Sequence, residues 1–510
     1  MDFNLIDERW IPCIGKDGKR EEVGIRDALL RADEFREVRG PSPLDTIAVY
    51  RFLLAVLQWC KPDPTQPEID DVSRKGTFPR AWFRKLDENR AKFELLGPDQ
   101  GFYQSKKHEQ NAARPATDLL PELPSGTNVA HFRHTRDERD GLCPACCALG
   151  LIRLSAFATH STHPPFKGGK PSGINGGTPM YAIPLGKTLL QTLLLNWPLP
   201  TCKGDEPGWM RQDAPGAKVV GCLAGLTWRP RHAWLARPGD DAPPERCACC
   251  GQEARLVRKI AFLPGWPRPF GKEPWSADPH LLIRMEEPGS SRGKSKVQSI
   301  ALPGADNSVE WYAKSWRPVY RTVLQSFTAP ETPSEQQCCL CQALKAAAKD
   351  QQVTVACLGP AAQQALYKDG TCIVFPLPAG GLDAEKANRA LAALGQLDKE
   401  QPFSILRSAI PSKAQNRPEI KAALANAAVK MEERLRCDFV QFVKALVSGN
   451  PNADADWGKA VRLALTSQVA EACGMIARGS AFRRREQEVS AMRRLSRDLA
   501  DGLAPAVKGV

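Results

Sequence analysis

No apolar stretch in this 510-residue chain approaches the roughly 20 residues that cross a bilayer; the longest, FLLAVL at 52–57, is far shorter. The opening MDFNLIDERW carries neither the basic nor the apolar segment of a secretory leader. A soluble, intracellular protein without a membrane partner is therefore expected, in a compartment that keeps thiols reduced. Histidine is scarce, at 7 residues, and none is followed two positions later by glutamate, so the H-x-E element of the zinc deaminases is missing. Phosphate-binding loops fail as well. LGKT at 185–188 has Tyr181, and RGKS at 292–295 has Pro288, where the first glycine of such a loop must stand. No internal repeat is visible.

What the chain does have is cysteine and positive charge. Its 17 cysteines, an odd number, argue against a fully paired disulfide framework. Lys and Arg at 70 against Asp and Glu at 57 leave a net +13, a balance that favours a polyanionic partner such as nucleic acid. At about 100 to 200 residues per domain, the length allows roughly two to four domains. Proline and glycine sit mostly before residue 380, whereas Ala, Leu, Glu, Lys and Arg dominate beyond the Gly pair at 380–381. This is the pattern of an α+β protein, with a mixed N-terminal domain over 1–380 and an all-α C-terminal domain over 381–510.

Local patterns fill in that outline. WIPCIG reads as a strand, KDGK as a turn and IRDALLRADEF as an amphipathic helix. DTIAVYRFLLAVLQWC predicts a helix over 45–60 with Asp45 as N-cap, and RAWFRKLDENRAKFELL another over 80–96. Residues 97–142 read as a long surface loop, and CPACCALGLIRLSAFAT as helix. Between 218 and 302 short strand-like runs follow, KVVGCLAGLTW, EARLVRKIAFL, HLLIRM and KVQSIAL, then a helix in EWYAKSWRPVYRTVLQSF and strands VTVACL and CIVFPL. Helical stretches over 383–408, 418–448, 454–478 and 482–502 make an up-and-down four-helix bundle.

CPACC at 143–147 and ERCACCGQE at 245–253 each contain a C-x2-C pair. Cys143, Cys146, Cys247 and Cys250 supply the four thiolates of a tetrahedral structural zinc site, with bonds of about 2.3 Å. Such an ion would tie together segments far apart in the chain. Cys147 and Cys249 stand beside these ligands, and either is able to replace its neighbour. Free buried cysteines, or a redox motif lacking its βαβ context, are the competing readings. CCLC, holding Cys338, Cys339 and Cys341, has no second half and reads as thiols on a helix.

PFKGGKPSGINGGTP, 165–179, is rich in glycine that lets backbone approach another surface, and Lys167 and Lys170 add charge. An ordinary irregular loop and a phosphate or groove contact both fit it. Taken in order, NLIDERWIPC, SGTNVAHF, LCPACCA, SGINGGTP and CACCGQE resemble the large subunit, CasA, of the type I-E CRISPR surveillance complex Cascade. The motifs run to about residue 260, and the C-terminal helices agree in architecture only.

The resemblance implies a non-enzymatic, cytoplasmic protein of prokaryotic antiviral defence. It would sit in a complex of CRISPR RNA with backbone, small and 5′-handle-binding subunits. There it would inspect double-stranded target DNA for a protospacer-adjacent motif, help start an R-loop and present the DNA to a helicase-nuclease. A zinc-dependent nucleic-acid-processing enzyme is the alternative. The family's glycine loop along the minor groove corresponds to Pro165, Phe166, Lys167, Gly168 and Gly169, with Pro165 and Lys167 in place of glycines; minor-groove readout is degenerate, so these changes bear on which motifs are accepted. The family's groove-reaching lysine has no counterpart at the matching place in FLPGWPRPFGKEPW, leaving Arg268 or Lys272 to serve. A glutamine wedge falls on Gln364, with Gln363 beside it, in a hairpin between VTVACL and CIVFPL. Asn128 and Phe132 lie on the loop that in the family approaches the motif and the RNA 5′ end, where Phe132 either stacks on a base or anchors its loop. Arg483, Arg484, Arg485, Arg493, Arg494 and Arg497 form either a solvated face or a track for displaced DNA or the small subunit.

Overall fold

The structure, a computed structural model, describes residues 2–97, 101–105, 114–120, 141–157, 181–215, 220–267, 278–281, 283–285, 297–299, 316–328, 352–363, 366–378, 382–400 and 418–477. The chain divides into two compact units. One comprises Met1–Ala301, Gln336–Ala343 and Val355–Val374; the other comprises Leu302–Glu335, Leu344–Thr354 and Phe375–Val510. Both strands and helices build the first, as expected of an α+β chain. Among the described residues no helix is long and apolar enough to cross a membrane.

WIPCIG forms strand Ile11–Gly15, paired antiparallel with Arg20–Val23 on one side and Phe35–Val38 on the other. Behind this sheet runs helix Pro43–Cys60, buried at every position from Ile47 to Cys60. Its start differs from expectation. Ser42, not Asp45, is the N-cap: its hydroxyl accepts from the Leu44 N–H at 3.2 Å, while the Asp45 carboxylate reaches back to the Ser42 N–H at 3.0 Å. Pro43, with φ preset and no N–H to lose, takes the first helical position and pushes Asp45 into the first turn.

A helix with no wet face must find partners for its polar side chains, because an unpaired buried charge costs several kcal/mol. This one finds three. Asp45 pairs with Arg153 at 3.3 Å, Arg51 with Asp278 at 2.8 Å, and Gln58 exchanges bonds with the Leu199 backbone at 3.0 and 2.9 Å. Each pins a distant segment to the core. Around the same helix Phe52, Trp59, Phe93, Phe102 and Trp209 contact one another edge-on and stacked, with ring centroids 5.5–6.3 Å apart.

Two further expectations are corrected. The helix read over 80–96 is broken into Arg80–Phe83, Arg84–Glu88 and Arg90–Phe93, because Asn89 turns its amide onto the Lys85 carbonyl at 2.9 Å and ends the middle piece. KVVGCLAGLTW contains helix Cys222–Leu226 instead of a strand. The Asp205 carboxylate caps it, accepting from the Leu223 and Ala224 N–H groups at 2.9 Å each. Strands appear within EARLVRKIAFL, HLLIRM and KVQSIAL, as Lys259–Pro264, Ile283–Met285 and Val297–Ser299, but Lys259–Pro264 pairs with two strands that were not expected, Arg231–Leu235 and Arg114–Pro115. The second lies in 97–142, read as a surface loop, whose described parts are instead anchored in the core by Phe102, Tyr103, Leu119 and Leu120.

In the second unit the described helices are Trp316–Thr328, Ala384–Glu400, Pro418–Val447 and Ala453–Ala477. Trp316, Tyr320, Phe439, Phe442 and Trp457 form their aromatic core. Buried Glu432 accepts from the Trp316 indole at 3.2 Å and from Arg317 at 2.6 Å. The fourth expected C-terminal helix, with its arginines, lies outside the described residues, as do Cys338, Cys339 and Cys341.

Candidate metal centre

The first cysteine pair opens helix Pro144–Phe157, and the second rides on a hairpin of Glu245–Arg246 against Glu253–Ala254. Backbone bonds bring the two together. Leu142 and Val257 exchange N–H and C=O bonds at 2.9 Å each, and the Ala248 N–H reaches the Gly141 carbonyl at 3.0 Å. Within the hairpin Gly251 adopts φ +75°, a left-handed geometry that costs other residues roughly 1–2 kcal/mol, and its N–H closes on the Cys247 carbonyl at 3.0 Å.

The result is that the sulfurs of Cys143, Cys146, Cys247 and Cys250 all lie within 4.8 Å of one another. Cys143 Sγ and Cys250 Sγ are 3.6 Å apart. Tetrahedral zinc with bonds of about 2.3 Å spaces its sulfurs about 3.8 Å apart, so the donor set fits such an ion. Backbone donors are already aimed at the sulfurs: the Cys143 N–H at Cys247 Sγ, 3.2 Å, and the Cys146 N–H at Cys143 Sγ, 3.5 Å. Such bonds orient thiolate ligands and stabilise their charge. Hydrogen bonding among the thiols splits the set: bonds from Cys143 and Cys146 hold Cys247 far below the ordinary thiol range and bring Cys250 down to about 7, while Cys143 and Cys146 themselves are pushed far above it.

The neighbouring cysteines are placed differently. Cys147 is wholly buried in the apolar core, its sulfur 3.9 Å from the Leu142 carbonyl, and burial pushes its thiol well above the usual range. Cys249 is half-buried and lies outside the converging set.

Most candidate DNA contacts, namely Asn128, Phe132, Lys167, Gly168, Gly169, Lys170, Arg268, Lys272 and Gln364, lie outside the described residues. What is described is where their segments leave and re-enter the core. Segment 121–140 ends at Gly141, whose carbonyl is held by Ala248 of the cysteine hairpin. Segment 158–180 leaves from the far end of the helix that the first cysteine pair begins, and returns at Tyr181. Strand Tyr181–Leu185 is hydrogen-bonded to Gln352–Gln363, which neighbours Leu366–Pro378 in turn, so Gln363 ends a strand of the expected hairpin. Segment 268–277 returns at Asp278.

At Asp278 sits a buried polar knot that sequence reading missed. Arg51 forks onto the Asp278 carboxylate at 2.8 and 2.9 Å and lies 3.3 Å from His280 Nδ1, while its guanidinium carbon stands 4.5 Å from the Tyr181 ring centroid. His280 Nε2 meets Asn196 Oδ1 at 3.0 Å. The one signal for this knot was an arginine in the middle of the apolar run from Ile47 to Leu57. Burial works against the Asp278 carboxylate, but Arg51 outweighs it and the group sits below the usual range. Burial, with the charge of Arg51, drives His280 from 6.5 down to about 3, against the opposing pull of Asp278.

A depressed histidine stabilises the fold fully above its unfolded value and loses that contribution as pH falls, because the unfolded chain takes up the proton first. Thermal stability should therefore decline as pH drops from 6.5 toward 3. His280→Gln, which keeps a donor for Asn196, should flatten the decline between about pH 6.5 and 4. Scanning the thermal midpoint of both proteins against pH checks this; parallel curves would refute it.

Among known proteins, residues 4–469 match the family described as CRISPR-associated protein Cse1. A CasA/Cse1 protein of Thermus thermophilus is 38% identical over 250 residues, 47% of this chain; the match spans about half (50%) of that relative's length. A solved structure of Thermus thermophilus CasA (Cse1) superposes over 98% of this chain and 99% of its own, with a TM-score of 0.71 at 25% identity. A chain in a structure named as a CRISPR RNA-guided surveillance complex shares the fold over 97% of this chain and 99% of its own, with a TM-score of 0.62 at 17% identity.

Proposed function

The chain belongs to the CRISPR-associated protein Cse1 family, and from that premise we propose that it is the non-catalytic large subunit of a type I-E RNA-guided surveillance complex. In this reading it recognises a protospacer-adjacent motif in duplex DNA, helps begin strand separation and hands the opened target to a helicase-nuclease. Guide RNA pairing reads the sequence, while protein reads only the short motif and the duplex shape.

The observation that carries the reading is the convergence of four thiols at the roots of candidate contact segments. The hairpin that carries two of them bonds Gly141, the residue after segment 121–140, through the Ala248 N–H, and the helix that the other two begin ends where segment 158–180 leaves. Zinc bound there would supply a rigid tetrahedral cross-link. Cys143, Cys146, Cys247 and Cys250 would together fill its coordination sphere, whereas zinc catalysis keeps a position open for water or substrate, which favours the subunit over the enzyme alternative. The remaining parts follow the family resemblance: residues 381–510 act as the helical domain, Asn128 and Phe132 approach the motif, Arg268 or Lys272 reaches the groove, and Gln364 wedges the duplex beside Gln363.

The test is binding of the assembled complex to duplexes with and without a permissive motif, followed by R-loop formation. Tighter binding to the permissive duplex is expected, and equal affinity at physiological salt would refute the proposal. In the same assay Gln364→Ala should leave initial binding intact and slow opening, since the wedge acts after docking by unstacking a base step at a cost of a few kcal/mol.

A further inference from the structure

We propose that Arg51 is a positioning residue for target recognition: its buried guanidinium fixes, at one point, the places where two candidate DNA-contacting segments re-enter the core. This rests on the functional reading above and deepens it.

Tyr181 and Asp278 are the first described residues after segments 158–180 and 268–277, which carry Lys167, Lys170, Arg268 and Lys272. Arg51 meets both. Its fork holds Asp278 and its charge lies over the Tyr181 ring. The two returning strands are also joined through their backbones, Tyr181 bridging Leu281 and the Ala182 N–H donating to the His280 carbonyl at 2.8 Å. Tyr181 further closes the neck of its own segment: its hydroxyl donates to the Ala156 carbonyl at 3.2 Å, and its ring meets Phe157 edge-on at 5.6 Å. The strand that begins at Tyr181 is hydrogen-bonded to the strand ending at Gln363. One buried cation therefore references the roots of two cationic segments to each other, next to a strand of the wedge hairpin.

The chemistry of the pair suits registration better than stability. Arg51 is 2% exposed and the Asp278 side chain 0%, and a buried ion pair of this kind is often replaceable by apolar residues without loss of stability. A planar fork on a carboxylate, however, sets both distance and angle, which an apolar contact or a lysine does not. Two segments that must meet one short motif lose less freedom on binding when their roots are already set.

The experiment measures affinity of the assembled complex for permissive and non-permissive duplexes, with the thermal midpoint alongside. Arg51→Met combined with Asp278→Asn removes the charged fork while keeping an acceptor for the buried His280 N–H, which Asp278 Oδ1 holds at 3.0 Å. Its permissive affinity should fall about tenfold with the non-permissive affinity unchanged, and the midpoint should stay within a few degrees of the parent. Tyr181→Phe, which keeps the ring beneath Arg51 and removes the hydroxyl's bond across the neck, should reduce discrimination about threefold. Should the double variant fail to fold, Arg51→Lys and Tyr181→Phe decide the matter by the same ratio. An unchanged ratio in folded variants, or equal losses on both duplexes, overturns the positioning role. A parent complex that does not discriminate between the duplexes overturns the functional reading instead.

Discussion

Cys247→Ser should leave the purified chain without its metal ion and lower the midpoint of the first unit by about 4 to 8 °C, whereas Cys249→Ser should keep both the ion and the midpoint. The two residues are separated by a single alanine, so general damage to the hairpin would affect them alike. Geometry separates them. Cys247 Sγ accepts the Cys143 N–H at 3.2 Å and converges with three other sulfurs, while Cys249 does not join that set. Structural zinc contributes about 10–16 kcal/mol of apparent binding energy in small zinc-dependent folds. Here the same segments also pack into a large apolar core, which supplies part of their stability without the ion. The expected loss is therefore a fraction of that, several kcal/mol, and a unit of about 330 residues shifts by about 1.5 °C per kcal/mol. Metal analysis of the purified variants, read beside thermal melts, gives the answer. A parent protein without metal, or Cys249→Ser losing metal as fully as Cys247→Ser, would falsify the assignment.

The same cysteines show how far sequence reaches. Two C-x2-C pairs identify a candidate site because the spacer itself lets both sulfurs of a pair face one ion. Choosing between Cys146 and Cys147 needs the helix. With about 100° between successive residues, a helix starting at Pro144 that turns Cys146 toward the hairpin must turn Cys147 into the core. Strands and helices with strong periodicity were legible, including Ile11–Gly15, Pro418–Val447 and Ala453–Ala477. Misreadings occurred where a single side chain decided the outcome. Asp205 caps a helix from 17 positions before its first residue, Cys222, and Asn89 interrupts one from within. The Arg51 knot was out of reach for the same reason on a larger scale: its partners are 227 and 229 residues away, and no local pattern links them.

Replacing Lys167 and Lys170 together by alanine should lower the salt slope of DNA binding by about 1.8 and the affinity at about 0.1 M salt by roughly sixty-fold. Each lysine that neutralises a phosphate of B-DNA releases condensed counterion with a slope of about 0.9 per contact, so the two add when both touch the backbone. The penalty follows from that slope and should vanish as salt approaches about 1 M. The part that comes from phosphate contacts should fall equally on permissive and non-permissive duplexes, since such contacts position a protein without reading sequence, whereas a part played by Lys167 in minor-groove readout would fall on the permissive duplex alone. That is the opposite of the Arg51 and Asp278 double variant, for which discrimination falls while general affinity holds. The contrast separates two physical roles in one protein: lysines of segment 158–180 that would supply attraction, and a buried cation that supplies registration. Binding isotherms from about 0.05 to 0.5 M salt distinguish them. A slope unchanged by the double alanine substitution would return segment 165–179 to the status of an ordinary solvated loop and leave the net +13 charge to act elsewhere on the chain.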